Sequence, residues 1–351
     1  MSSPAKRLKG LTLNDKWYVE ELIVLAANQT GGHFSVGYKV KTESGDQGFL
    51  KALDYHTALQ APDPATVIQA LTEAFNFERA VLQRCRDRKL DRVVKAIEDG
   101  TTRIDFDGAQ HTIQYLIFEL ADGDVRKQLD LLKSFDLAWI LRSLHHIATG
   151  LKQLHGEGIA HQDLKPSNVL IFNNAISKIG DLGRSAYQGH TPPHENYTIP
   201  GDISYAPPEQ LYGFVPQEWN LRRLGCDAYQ LGSLVVFFFT GISMTALWAR
   251  ELHPSHFPGR WNGTFEDVLP YLRQAFGQAM LRLQQEIGDK LGEILPEIQS
   301  EIVTIVRELC EPSPQLRCDY QSRNSGKLLL ERYITRFDRL ARKTEMAFTR
   351  G

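Results

Sequence analysis

Residues 159–172 read IAHQDLKPSNVLIF and put an aspartate, a lysine and an asparagine into one loop between a predicted helix and an apolar stretch. Phosphoryl transfer needs a carboxylate that accepts a hydroxyl proton, a cation that neutralises the moving phosphoryl group, and oxygen ligands for Mg²⁺. Asp163, Lys165 and Asn168 offer these three groups in order. We therefore predict that Asp163 is the base, Lys165 the charge stabiliser and Asn168 a metal ligand.

A second metal ligand follows in KIGDLG, residues 178–183, where Asp181 supplies the hard carboxylate oxygen that suits Mg²⁺. Two longer motifs come later: YAPPE at residues 205–209, and DAYQLGSLVVFFFTG, which begins at Asp227. In order and spacing, this set closely resembles the motifs of the protein kinase family. HQDLKPSN stands in place of the H-R-D-L-K-x-x-N loop, and DLG in place of D-F-G.

The resemblance extends over roughly residues 18–317. It implies an α+β, bilobal protein-kinase-like fold, with a small β-rich N-lobe that contains one helix and a larger α-helical C-lobe. It also implies ATP- and Mg²⁺-dependent transfer of the γ-phosphate to Ser/Thr hydroxyls of a protein substrate, and the position of Lys165 favours Ser/Thr over Tyr. Two structural roles are implied as well: Asp227 braces the catalytic loop backbone, and Glu209 pairs with Arg317.

The nucleotide half of the resemblance depends on Lys51 in GFLKAL and Glu78 in FNFERAVL, with Glu73 as a rival to Glu78. In kinases such a lysine holds the nucleotide phosphates and pairs with a glutamate. The glycine loop lies in QTGGHFSVGYKV, residues 29–40, which contains no G-x-G-x-x-G. Its alignment with the glycine loop of the family is therefore ambiguous by one residue. The remaining predicted nucleotide contacts belong to this loop, the back of the adenine pocket and the hinge: Thr30, Gly31, Gly32, Ser35, Phe118, Glu119 and Ala121. An ordinary core phenylalanine is the other interpretation of Phe118.

Three positions depart from the family pattern. Gln162 replaces the Arg that in many kinases binds a phosphorylated activation segment through a charge-assisted pair. Asp202 stands where Ser/Thr kinases usually have a Thr, and its carboxylate either repels Asp163 or pairs with Lys165 and holds the site shut. Gly37 stands where a Val usually covers the adenine.

Two other functions are compatible with parts of this pattern. A pseudokinase, acting as a nucleotide-binding scaffold or regulatory module, would keep the fold and lose turnover through the unusual glycine loop and Asp202. A small-molecule phosphotransferase of the aminoglycoside-kinase type shares an H-x-D-x-x-x-x-N loop. The second alternative would not need Glu209 or its partner Arg317, which argues against it.

Charge and composition exclude several classes of protein. The 351 residues contain 40 Lys+Arg and 42 Asp+Glu, a net charge of −2, so no bulk basic field indicates nucleic acid or an anionic membrane as partner. The longest apolar run, residues 231–242, is shorter than the roughly 20 residues that cross a bilayer. The N-terminus lacks the form of a secretory signal, and the four cysteines have neither disulfide-framework nor zinc-site spacing. We expect a cytoplasmic protein.

Hydrophobic periodicity divides the chain into four segments. Residues 1–16 form a polar tail, 17–120 the N-lobe, 121–320 the C-lobe and 321–351 a basic C-terminal helix. Short alternating runs predict strands in the N-lobe, with one helix inserted near residues 64–88, and 3.6-residue periods predict helices from residue 135 onward. An added loop and helix at about 243–295 exceed what a kinase core needs. Its aromatic residues make it a candidate surface for a protein partner, whereas the helix stripe itself favours packing against the C-lobe.

Overall fold

The computed structural model describes residues 3–23, 34–131, 135–292, 296–326 and 328–348. In this part of the chain, the N-terminal lobe has one antiparallel sheet of six strands: β1 (Thr12–Leu13), β2 (Trp17–Ile23), β3 (Ser35–Lys41), β4 (Gln47–Leu53), β5 (Ala96–Phe106) and β6 (Ala109–Glu119). Their order across the sheet is β1-β2-β3-β4-β6-β5. Alternate residues of β3, namely Val36, Tyr38 and Val40, are buried in the core of the lobe, as the period of two requires for a half-buried strand.

Strands β5 and β6 form one long hairpin through Asp107 and Gly108, both of which have positive φ, as a two-residue loop of this kind favours. Strand β5 continues through Gly100. A Cβ atom on Gly100 would lie 2.5 Å from Oη of Tyr115 on β6. Glycine here marks a close approach between strands and not a break.

The helix inserted in this sheet is α1 (Pro64–Asp87), as predicted from its periodicity. Asp63 caps it by accepting a hydrogen bond from the Thr66 backbone N–H, and Pro64 occupies the first turn, where no backbone donor is needed. The buried face of α1 carries Phe75 and Val81 but also Glu78. A buried carboxylate requires a partner, and the helix therefore positions Glu78 toward a cation.

Helices dominate from residue 125: α2 (Val125–Leu131), α3 (Leu137–Gly156), α4 (Pro208–Leu211), α5 (Gly225–Thr240), α6 (Met244–Ala249), α7 (Phe265–Leu291), α8 (Pro296–Leu309), α9 (Tyr320–Ser325) and α10 (Glu331–Phe348). Helix α5 is buried along almost its whole length, and its apolar residues are therefore distributed around the helix. Helix α10 packs on α3, where Arg142 forms ion pairs with Asp338 and Glu345. None of the described helices combines the length and the apolar sequence that a membrane span needs.

Five short strands frame the loops that matter for function: β7 (Gly123–Asp124), β8 (Ile159–Ala160), β9 (Val169–Phe172), β10 (Ile176–Ile179) and β11 (Ala186–Tyr187). Strand β8 pairs with β11, and β9 pairs with β10 and β7. The loop 161–168 and the turn 180–185 are thus each held at both ends by strands. These pairings place the two loops, which only β9 and β10 separate in the chain, next to each other.

The added region at 243–295 contributes mainly to the core of the C-lobe. The predicted apolar stripe of α7 is buried throughout: Val268, Leu272, Phe276, Met280, Leu283 and Ile287. Trp248 and Phe265 are buried as well, with the Phe265 ring stacked on Phe214 at 5.1 Å between centroids. The aromatic residues that remain half-buried or exposed are Phe257, Trp261 and Tyr271.

Candidate active site

The Asp163 carboxylate is held in one orientation by three donors. Its Oδ1 accepts from the Asp202 backbone N–H at 2.7 Å, and its Oδ2 lies 3.1 Å from Lys165 Nζ and 3.2 Å from Asn168 Nδ2. The Asn168 amide also donates to the Asp163 backbone oxygen at 2.8 Å, so its own oxygen faces away from Asp163. Burial raises the pKa of Asp163, whereas the Lys165 charge opposes that rise. The structure thus brings the predicted base, charge stabiliser and metal ligand together.

Asp227, at the start of α5, fixes the backbone of this loop. Its two carboxylate oxygens accept from the backbone N–H groups of His161 and Gln162, each at 2.8 Å. His155 Nε2 also lies 2.8 Å from Asp227. Burial would raise the pKa of Asp227, but these hydrogen bonds and the nearby imidazoles lower it, so the buried carboxylate is held ionised. The bracing role implied by the resemblance is present in the geometry.

Lys51 and Glu78 form the predicted ion pair across the N-lobe. Lys51 Nζ lies 2.8 and 3.0 Å from the two Glu78 oxygens, and 3.5 Å from Asp181 Oδ1. Burial lowers the pKa of Lys51, but the charges of Glu78 and Asp181 outweigh this effect and raise it. Burial raises the pKa of Glu78, and the Lys51 charge lowers that of Asp181. Glu73 lies on the exposed face of α1 and pairs with Gln69, so Glu78 is the residue that reaches Lys51.

Asp181 is the link between the two halves of the site. Its φ of 58° is in the left-handed region, which turns the backbone sharply between β10 and the following turn. Its side chain is 48% exposed, so carboxylate oxygen is accessible from the cleft beside Lys51. His161 ties this turn to the catalytic loop, since its Nε2 lies 2.9 Å from the Gly180 carbonyl.

The oxygen atoms of Asp181 and Asn168 suit an Mg²⁺ ion that also binds a nucleotide. They are too few to hold a metal ion by protein ligands alone. Among the described residues, no cluster of three or more His, Cys, Asp or Glu side chains could hold a metal ion. Asp181 and Asn168 offer one carboxylate and one amide oxygen. Mg²⁺ commonly takes one or two protein carboxylates and completes its shell with water and substrate phosphates.

The hinge residues lie at the end of β6. The Phe118 side chain is buried and contacts Phe49, with 6.4 Å between ring centroids, so it is a core residue at the edge of the cleft. Both Glu119 oxygens accept from Lys178 Nζ at 2.7 Å, which ties the hinge to β10. In the described part of the chain, the Ala121 backbone N–H and C=O have no hydrogen-bond partner. These groups are thus available to the edge of a planar ligand.

The glycine loop is represented by its last residues. Thr30, Gly31 and Gly32 lie outside the described residues, and Ser35 is the first residue of β3, opposite Leu53. Two residues further, a Cβ atom on Gly37 would lie 2.9 Å from Cε2 of Phe49.

Phe49 is a residue that the sequence analysis missed. It lies on the same face of β4 as Lys51, two residues away, which is the signal that could have identified it. Its ring fills the space beside Gly37, where the family usually has a larger side chain. The large side chain of Phe49 on β4 thus occupies the space that a larger residue at position 37 on β3 would need.

The protein kinase domain, as a sequence family, matches residues 31–325. This chain belongs to the protein kinase family. The predicted α+β bilobal kinase fold is confirmed, with a β-rich N-lobe and a helical C-lobe.

Three relatives from the protein kinase family illustrate the similarity. The chain is 34% identical to Aurora/IPL1-related protein kinase 2 of Caenorhabditis briggsae and 36% identical to that of Caenorhabditis elegans, in each case over 128 residues. It is 33% identical over 128 residues to the Aurora kinase of Yarrowia lipolytica. Each alignment covers 36% of this chain. It covers 39% of each Caenorhabditis protein and 32% of the Yarrowia protein. The chain thus matches less than half the length of these proteins.

The segment around Asp202, one of the three departures from the family pattern, lies next to Lys165. The Lys165 ammonium lies between two carboxylates, 3.1 Å from Asp163 and 3.4 Å from Asp202. Burial would raise the pKa of Asp202, but hydrogen bonds from Ser204 and the Lys165 charge lower it. The Asp202 carboxylate was expected either to repel Asp163 or to pair with Lys165, and in the structure it pairs with Lys165. Gly201 permits this approach, because a Cβ atom there would lie 2.4 Å from the Gln162 carbonyl oxygen.

Proposed function

We propose that this chain is an ATP- and Mg²⁺-dependent protein kinase that transfers the γ-phosphate to Ser/Thr hydroxyls. One observation carries the proposal: Lys51, paired with Glu78, lies 3.5 Å from Asp181, and the catalytic loop is joined to the same turn where His161 and Asn168 contact Gly180. A phosphate-binding cation, a proton acceptor and metal ligands therefore face one cleft, which is the set that phosphoryl transfer requires.

Each side chain has a distinct part in this proposal. Asp163 takes the proton of the substrate hydroxyl, and its three donors keep the accepting oxygen in place. Lys165 neutralises charge on the transferred group, and Lys51, held by Glu78, binds the nucleotide phosphates. Asn168 and Asp181 would hold Mg²⁺, which when bound shields the charge of the phosphates. Ala121 offers its backbone groups to the adenine edge.

Preference for Ser/Thr is supported by Lys165, two residues after the base, and by 36% identity over 110 residues to a Saccharomyces cerevisiae relative named a serine/threonine-protein kinase. The test is transfer of radiolabel from [γ-³²P]ATP to a mixture of basic, acidic and neutral peptides, followed by phosphoamino-acid analysis. Label on phosphoserine or phosphothreonine that disappears when EDTA removes Mg²⁺ is the expected result. Label on phosphotyrosine alone would contradict the specificity, and label that persists in EDTA would contradict the role of Mg²⁺.

A pseudokinase scaffold is the second candidate, and the position of Asp202 favours it. Because Lys165 is shared between Asp163 and Asp202, a substrate must displace or accommodate a second carboxylate before transfer. The same assay distinguishes the two functions. A scaffold binds ATP in a calorimetric titration but transfers no label above the level of an Asp163→Asn variant.

The proposal includes a cytoplasmic location and a protein partner at the 243–295 region. The four cysteines are free and buried, which suits a reducing compartment. At the surface, the His256 ring is stacked on Tyr271 at 3.9 Å and lies 5.4 Å from Trp261. A Tyr271→Ser variant that keeps peptide phosphorylation but loses a co-purifying protein would support this surface, and retention of that protein would contradict it.

A further inference from the structure

Glu195 forms two ion pairs from the segment between Asp181 and Glu209. Its Oε1 lies 2.5 Å from Arg222 Nη1, and its Oε2 lies 2.5 Å from Arg223 Nη2. Arg222 also donates to the Glu195 backbone oxygen at 3.0 Å. One carboxylate thus accepts from two guanidinium groups, an arrangement that resembles a phosphate in an arginine cluster.

A local irregularity in the backbone brings both arginines to the same carboxylate. Residues Asn220–Leu224 form a π-helical turn just before α5. In a regular α-helix, consecutive side chains point about 100° apart and would not reach one small group together. Short π-helical turns are found frequently at functional sites. Here the turn directs Arg222 and Arg223 to Glu195.

Arg223 connects Glu195 to the catalytic loop. Its side chain is only 3% exposed, and it donates to Gln162 Oε1 at 3.3 Å. Gln162 returns a hydrogen bond from Nε2 to the Arg223 backbone oxygen at 2.8 Å. Gln162 immediately precedes Asp163. The cation that Gln162 lacks is therefore supplied by Arg223, 61 residues later in the chain.

His194 connects the same segment to α1. It is buried, and its ring meets that of Phe77 edge to face, with centroids 6.4 Å apart and an interplanar angle of 88°. Phe77 precedes Glu78, the partner of Lys51. Two adjacent residues thus reach toward both halves of the site: His194 contacts the neighbour of Glu78, and Glu195 is linked through Arg223 to the neighbour of Asp163.

We propose that Glu195 is a positioning residue whose carboxylate takes the place of a phosphate, so that the segment 185–200 is ordered without phosphorylation. The expected effect on catalysis rests on the proposed function, whereas the expected effect on the order of residues 185–200 does not. Both arginines that would bind a phosphate already bind Glu195. The order of the segment then depends on Glu195, and the geometry of Asp163 and Glu78 depends on that order.

The test compares Glu195→Gln, which keeps the size and removes the charge, with Glu195→Asp, which keeps the charge. Glu195 is about one-third exposed, so the substitutions leave the core intact. Glu218→Gln is the matched control, because Glu218 is an exposed carboxylate only four residues before Arg222. Arg222→Gln is a second variant that weakens the cluster and leaves the buried Arg223 paired.

Hydrogen exchange of peptides covering residues 185–200 is the first measurement. We expect exchange to rise about tenfold in Glu195→Gln, less in Arg222→Gln, and to return toward wild type in Glu195→Asp. The Glu218→Gln control should match wild type. Unchanged exchange in both Glu195→Gln and Arg222→Gln, or equal loss of protection in Glu195→Asp, would overturn the proposal.

Steady-state kinetics is the second measurement. We expect kcat to fall about tenfold in Glu195→Gln with a smaller change in KM for ATP, and to recover in Glu195→Asp. Phosphatase treatment of the wild type should change neither value. Loss of activity on that treatment would overturn the proposal. If no variant, wild type included, transfers phosphate but exchange responds as expected, the ordering role stands and the proposed function fails.

Discussion

Arg317 donates to both oxygens of Glu209, at 2.8 Å from Nη1 and 2.7 Å from Nη2, and the two side chains are 1% and 2% exposed. Arg317 also donates to the Gly225 backbone oxygen at 3.0 Å. This pair joins the end of the segment 181–209 to the loop before α9 and to the start of α5. It matches the pair that the sequence resemblance implied.

Because the pair is buried, removing one partner should cost more than a surface ion pair would. We expect Glu209→Ala to lower the free energy of unfolding by about 3–5 kcal/mol, since it leaves the Arg317 charge buried without its carboxylate. Urea denaturation measures this change. Glu297→Ala, which breaks the exposed pair with Lys343, is the control and should cost under about 1 kcal/mol. Equal effects of the two substitutions would contradict the account.

Lys165 should influence the pH dependence of catalysis through Asp163. Burial raises the pKa of Asp163, and the positive charge of Lys165 lowers it, so the loss of that charge raises it further. A base must be deprotonated to act, and activity is therefore lost as the pH falls through its pKa. We expect the acid limb of kcat/KM to move to higher pH in Lys165→Gln. Lys165→Arg keeps the charge and should keep the limb near wild type; a limb that does not move in Lys165→Gln would rule out this coupling.

Gly37 and Phe49 should behave as a coupled pair. Gly37→Val places a Cβ atom where Phe49 Cε2 already lies within 2.9 Å, so we expect destabilisation by about 1–3 kcal/mol from overpacking, with weaker binding of ATP. Phe49→Ala opens the space. The double variant Gly37→Val/Phe49→Ala should recover much of both losses, which a double-mutant cycle of melting and calorimetric titration measures. Additive effects would mean that the two residues do not share one space.

Local sequence patterns predicted much of the fold and of the catalytic loop. The hydrophobic period near residues 64–88 predicted α1, and the motif spacing placed Asp163 and Asn168 in one short loop. Such features depend on residues close together in the chain. The close approach of Gly100 to Tyr115 is not local in this sense, because Tyr115 lies on the neighbouring strand.

Contacts between distant loops were not visible in the sequence. Glu195 and Arg223 are separated by 28 residues. The π-helical turn that contains Arg223 has no characteristic sequence pattern from which it could be predicted. Gln162 carries no charge, and its hydrogen bond with Arg223 depends on how the turn before α5 packs against the catalytic loop. In the register of β3 and β4, Gly37 pairs with Lys51 and Phe49 pairs with Lys39, so Phe49 and Gly37 are diagonal neighbours.

The most direct test of the central claim is the rate of γ-phosphate transfer in Asp163→Asn compared with wild type. This substitution keeps the side chain's size, and the control Asp289→Asn removes a charge from an exposed position on α7. We expect Asp163→Asn to lower kcat by about 10³-fold or more at an unchanged melting temperature, since it removes the proton acceptor of the reaction. Asp289→Asn should retain wild-type turnover. Near wild-type turnover in Asp163→Asn would contradict the account.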